Sequence, residues 1–137
     1  MRVVLDTNVL LVSIPTKSMY RIIFNALIDG TIELALSNDI LTEYHEIIAE
    51  KTNGVIAQNI GQLLVHLPNV FKTEIHYKWH LIKKDADDNK FVDCAIAGNA
   101  DYLVTNDRHF RILSEIDFPK ITVISINEFV EILSKSP

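Results

Sequence analysis

At 137 residues, 48% of them apolar and 23% charged, the chain suits one globular domain with its own core, and the composition excludes a disordered polymer. A net charge of −5 argues against a general basic surface for nucleic acid, although a cluster of functional carboxylates would itself lower that total. One cysteine, Cys94, gives no disulfide framework; with no secretory leader and no apolar run of roughly 20 residues, a cytoplasmic chain that meets no membrane is expected.

In chain order, Arg2–Leu5 is the first predicted strand, and Asp6 interrupts what otherwise reads as a buried apolar stretch. "SMYRIIFNALIDG" has helical spacing and stops at Gly30. A weaker strand, Ile32–Leu36, precedes a helix capped by Ser37. "VIAQNIGQLLVHL" is the next helix and ends before Pro68. Val70–Ile75 is a candidate edge strand in a region, Val70–Lys84, with no clear period. "DDNKFVDCAIAGNA" reads as helix, Tyr102–Thr105 as strand, "DRHFRILSEI" as helix, Ile121–Ile124 as strand, and "NEFVEILSK" as a closing helix capped by Ser125 or Asn127. This alternation predicts a three-layer α/β/α sandwich around a mostly parallel sheet, with residues 1–137 forming one domain.

Ligands of open parallel sheets bind beyond the carboxyl ends of the strands, where Asp6 and Asp107 both fall. Either could instead cap a helix, and for Asp107 alone the cap is the simpler reading. At about 100° per residue, Asp88 shares an arc with Val92, Ala95 and Ile96, whereas Asp93 is expected to face water. Glu43 borders the arc of Ile40, Tyr44 and Ile47, with Asp39, Glu46 and Glu50 further toward solvent. Four inward acids (Asp6, Glu43, Asp88 and Asp107) cannot all ionise side by side without a counter-charge. Arg2, Arg21, Lys90, Arg108 and Arg111 are candidate partners. The all-oxygen set suits Mg²⁺ or Mn²⁺, and two such ions about 4 Å apart could activate a water and stabilise the leaving oxygen of a phosphodiester.

These stretches resemble the PIN domain family, and in particular its branch of VapC-like ribonuclease toxins from bacterial toxin–antitoxin systems. The resemblance rests on "VVLDTNVLL", on "LSNDILTEY" with Ser37 and Glu43, on "DADDNKFVDCAIAGNADYLVTNDRHF" from Asp85, and on "ITVISINEFVEIL". It implies a metal-dependent endoribonuclease that cleaves single-stranded RNA, with Asp6, Glu43, Asp88 and Asp107 as ligands of Mg²⁺ or Mn²⁺. Asn8 and Thr105 would assist, and Asp87 is the second choice beside Asp88. Relatives of this branch often read Asp-Pro-Asp-Asp where this chain has Ala86 in the proline's place. RNA phosphates would meet Arg21, Lys90, Arg108 and Arg111. The histidines read as structural or surface residues. An antitoxin partner is implied; the apolar face of Val55–Leu67 could serve a homodimer, but an ordinary core face is its simpler explanation.

Two other readings stand beside this one. A catalytically silent PIN-like binding or scaffold module would keep the acids without turnover. A haloacid-dehalogenase-like phosphotransferase also opens on a strand ending in Asp, but it needs a second Asp where this chain has Asn8.

Overall fold

A computed structural model of the protein describes residues 1–135. Its sheet has five strands: β1 (Arg2–Leu5), β2 (Glu33–Leu36), β3 (Val70–Lys72), β4 (Tyr102–Val104) and β5 (Val123–Ile124). They lie in the order β3-β2-β1-β4-β5, and every pairing is parallel. Val3, Val4 and Leu5 are all fully buried although successive strand residues face opposite sides, so both faces of β1 are covered. The covering helices are α1 (Thr7–Ser13), α2 (Arg21–Asp29), α3 (Asn38–Lys51), α4 (Gly54–His66), α5 (Asn89–Ala97) and α6 (Ile126–Lys135). The expected α/β/α sandwich is the observed architecture.

Local chemistry sets the element ends. Gly30 closes α2 at φ +83°, a left-handed conformation that glycine adopts without a Cβ penalty. Ser37 caps α3 by accepting from the Ile40 N–H at 3.3 Å. At α6 the cap is Ser125: its Oγ accepts from Glu128 N at 3.1 Å while Glu128 Oε1 accepts from Ser125 N at 2.9 Å, a reciprocal capping box. No helix among the described residues is long and apolar enough to cross a membrane.

The structure corrects several sequence expectations. Asp6 follows the end of β1 as expected, but a helix that the apolar pattern does not signal starts there at once, with the Asp6 carbonyl accepting from the Val9 and Leu10 N–H groups. The strand expected over Ile121–Ile124 is confined to Val123–Ile124. "DRHFRILSEI" forms a 3-10 helix, Arg108–Glu115, and a 3-10 turn over Ala86–Asp88 precedes α5. Asp93 is buried rather than solvent-facing, because its Oδ1 accepts from the Trp79 N–H at 3.1 Å. One turn earlier, Asn89 exchanges two hydrogen bonds with the Ile82 backbone, at 2.9 and 2.8 Å. The irregular segment after β3 thus lacks periodicity because it is fastened to α5 from outside itself, at Trp79 and Ile82.

This topology creates one switch point. From β1 the chain proceeds through β2 to the β3 edge, then returns to the other side of β1 with β4 and β5. Strand order reverses between β1 and β4, and a crevice opens beyond their carboxyl ends, where Asp6 and Asp107 follow the two strands.

Candidate metal centre

At the switch point one hydroxyl joins the two strand ends. Thr105 Oγ1 donates to Asp6 Oδ2 at 2.6 Å and accepts from the Asp107 N–H at 3.0 Å. Burial above all, and then the charges of Asp107 and Glu43, raise the Asp6 pKa above its ordinary value. The bonds from Thr105 and the Thr7 backbone offset only part of this. Asp6 forms no ion pair within 4 Å among the described residues. Arg2, an expected counter-charge, is at the opposite end of β1, bonded to Glu33 and the Gly98 carbonyl and stacked over Phe71.

Glu43 enters from α3. Tyr44, wholly buried, donates from its phenol to the Leu5 carbonyl at 2.5 Å and so fixes this helix against the end of β1. The adjacent Glu43 accepts from Thr7 Oγ1 through Oε2 and pairs with Lys90 Nζ through Oε1 at 2.7 Å. The Lys90 ammonium also reaches Asp87 Oδ1 at 2.9 Å and the Asp87 carbonyl at 3.0 Å. Burial pulls the Lys90 pKa down, but the bonds to Glu43 and Asp87 together outweigh it and leave it raised.

The adjacent acids Asp87 and Asp88 diverge. Asp87 is exposed and its carboxyl is held below the ordinary value, chiefly by the Lys90 hydrogen bond. Asp88 keeps 14% of its side-chain exposure, and its pKa is raised to about 6 by burial first, then by Asp107 and Asp85, with Asp6 adding to the effect. Ala86 therefore does not prevent the turn from directing Asp88 toward Asp6 and Asp107. Asp107 does cap the following 3-10 helix, accepting from His109 N at 2.9 Å, and still faces Asp6 and Asp88 electrostatically.

Sequence reasoning missed four residues here. Thr7 and Tyr44 position Glu43, and each is adjacent in sequence to an acid already chosen. His109, a structural or surface residue by sequence, places its Nδ1 3.4 Å from both Asp88 Oδ2 and Asp107 Oδ1. Asp85 joins it: ligand atoms of Asp85, Asp88 and His109 all lie within 4.8 Å of one another. No periodicity signals a residue that acts from a turn.

Of the four basic residues expected at RNA phosphates, two are spent internally. Lys90 is the counter-charge of Glu43, and Arg21 bonds the Ile14 carbonyl and Asn25 while stacking over Phe24. Arg108 and Arg111 are exposed and line a groove with Asp107. Asn8 is exposed beside Asp6 and Asp107 in a second hollow of 480 Å³.

A parallel sheet with an acid-lined crevice at its switch point, and two carboxyls whose negative charge is under-compensated, defines a class of protein equipped to hold a divalent cation. The chain belongs to the PIN domain family, whose model matches residues 2–109. Among solved structures it is similar to a chain of VapBC2 from Rickettsia felis, solved bound to a DNA fragment from their promoter. The identity is 18%, the match covers 91% of this chain and 98% of that one, and the TM-score is 0.62. At that identity the likeness is one of fold. No curated protein matches the chain. Family membership removes the haloacid-dehalogenase-like alternative.

Proposed function

We propose that the protein is a divalent-cation-dependent endoribonuclease acting on single-stranded RNA, and the toxin of a toxin–antitoxin pair. The observation that carries this reading is the gathering of Asp6, Asp88 and Asp107 at one crevice, where none of the three pairs with a lysine or arginine among the described residues; burial raises the pKa of Asp6 and of Asp88 there. Carboxyls so placed want a cation, and their oxygen-only chemistry fits Mg²⁺ or Mn²⁺. Asp6, Asp88 and Asp107 would hold it, with Glu43 completing the set once its oxygen is shared with Lys90. The cation would supply Lewis acidity toward a phosphodiester and lower the pKa of a water.

The chain's own residues do the positioning. Thr105 holds Asp6 in one rotamer and registers it against Asp107. Thr7 and Lys90 hold Glu43 from either side. His109, between Asp88 and Asp107, is placed to pass a proton or to steady both acids. Membership of the PIN family and the likeness to a VapBC2 chain support the toxin reading, and an antitoxin is its implied partner.

Thermal denaturation with and without Mn²⁺, together with cleavage of a labelled single-stranded RNA, tests this. Mn²⁺ should raise the melting temperature and permit cleavage. Asp6→Asn should remove cleavage while leaving the fold intact, and without metal it should be at least as stable as the wild type, since a like charge is lost. The paired state of Glu43 and Lys90 favours one second reading, a silent binding module. Under it, Mn²⁺ changes neither stability nor RNA.

A further inference from the structure

Tyr77, Trp79 and Phe118 form a chain of edge-to-face rings on the protein surface. The Tyr77 and Trp79 centroids are 4.7 Å apart at 66°, and those of Trp79 and Phe118 are 6.1 Å apart at 80°. Phe118 is 81% exposed and Tyr77 65% exposed, whereas Trp79 is half-buried between them. The platform is fixed, because Asp93 holds the Trp79 backbone and Asn89 holds that of Ile82. Rings left this open contribute little to folding and offer their faces to something else.

Their surroundings identify what. The stretch 75–84, "IHYKWHLIKK", has three lysines and no carboxylate in a chain whose acids outnumber its bases by 18 to 13. Lys83 and Lys84 form no ion pair among the described residues. They line a groove of about 950 Å³ together with Asp107, Arg108, His109, Arg111 and Glu115, so four basic side chains there face two acidic ones. The groove and the ring cluster bridge the same two chain segments, one running from Tyr77 to Lys84 and the other from Asp107 to Phe118. A cationic furrow that begins at an acid of the crevice and leads along segments bearing exposed ring faces matches a flexible polyanion with flat bases.

We infer that the segment 77–84 and Phe118 form a single-strand binding track, in which Lys83, Lys84, Arg108 and Arg111 follow the phosphates and the ring faces of Tyr77 and Phe118 stack nucleobases. This rests on the RNA reading proposed above and extends it to the path of the strand. Stacking without hydrogen-bond readout makes the track tolerant of sequence, so specificity arises elsewhere.

Trp79 is the only tryptophan of the chain, so its emission reports on this platform alone. The full chain, in EDTA to prevent turnover, is titrated with a short oligouridylate while Trp79 emission and the anisotropy of a labelled copy are followed. Binding should alter Trp79 emission saturably, and Phe118→Leu, which keeps the apolar bulk, should weaken affinity about fivefold or more. Lys83→Gln combined with Lys84→Gln should flatten the dependence of log Kd on log salt by about 1.4. If anisotropy shows binding but Trp79 emission and the Phe118→Leu affinity stay unchanged, the strand runs elsewhere: the track is overturned while the RNA reading stands. If neither probe registers binding, the track is overturned, whereas the RNA reading is decided separately by cleavage in Mn²⁺.

Discussion

Lys90 holds Glu43 on one side and Asp87 on the other, with its Nζ 2.7 Å and 2.9 Å from their oxygens and only 13% of its side chain exposed. One ammonium therefore occupies the place a cation would take beside Glu43, while among the described residues nothing equivalent stands beside Asp6. The crevice is electrically divided, one acid neutralised from within and three left to something from outside.

Replacing Lys90 with Met removes that internal charge. Without metal, the fold should lose about 1–3 kcal/mol, because Glu43 keeps only the Thr7 hydroxyl as partner. With Mn²⁺ the loss should shrink, since the cation now has Glu43 to itself. Urea unfolding in EDTA and in Mn²⁺ measures both; an identical loss in the two would show that Lys90 and the metal do not compete.

Asp88 makes stability depend on pH in an identifiable direction. In the unfolded chain it ionises near 3.8, but in the native protein only near 6, so the native state holds the extra proton between those values. Stability from this group is present at low pH and falls as pH rises through that window, and Asp6, also raised, acts in the same sense. The effect is on the order of 1–2 kcal/mol after solvent screening. Subtracting the Asp88→Asn profile from the wild-type profile, both in EDTA, isolates it, and a difference that grows more favourable with rising pH would contradict the assignment.

Thr105→Val keeps the shape of a buried side chain but deletes the donor to Asp6 and the acceptor for Asp107 N–H. A cost of about 1–3 kcal/mol is expected, with weaker Mn²⁺ binding by calorimetry. Thr105→Ser should recover the binding, which a purely packing role would not explain.

Asn89→Leu tests how the irregular segment is fastened. It strands the Ile82 N–H and C=O, for a loss of about 1–3 kcal/mol, and hydrogen exchange at the Ile82 amide should accelerate. Asp93→Asn, which keeps an oxygen for the Trp79 N–H, should cost much less than Asp93→Ala. Equal costs would mean that the carboxylate charge matters more than the bond.

The sheet and most helices were legible because their causes are local. A β-branched run makes β1, Ser37 and Gly30 mark helix ends, and the apolar stripe of α3 puts Glu43 at its border. The prediction failed for Asp93 because helical phase sees only the helix's own apolar face; the Trp79 amide that buries it comes from a segment with no period of its own. Lys90 stands among five candidate counter-charges in the sequence, but which acid it serves is set by a contact that joins residues 43 and 90 through the fold. The acids could be chosen from their positions at strand and helix ends and Thr105 from the family resemblance, but Thr7 and His109 could not, because they act through hydrogen bonds that periodicity does not encode.

The central position of β1 also bears on synthesis. β1 is paired with β2, which follows it closely in the chain, but its other neighbour, β4, comes only after five helices. A nascent chain carrying β1 and β2 has Asp6 and Glu43 yet lacks Thr105 and Asp107, so the crevice has one wall. Such long-range pairing is slow to form. The acid-lined crevice is therefore complete only once β4 and the residues that follow it have joined the sheet.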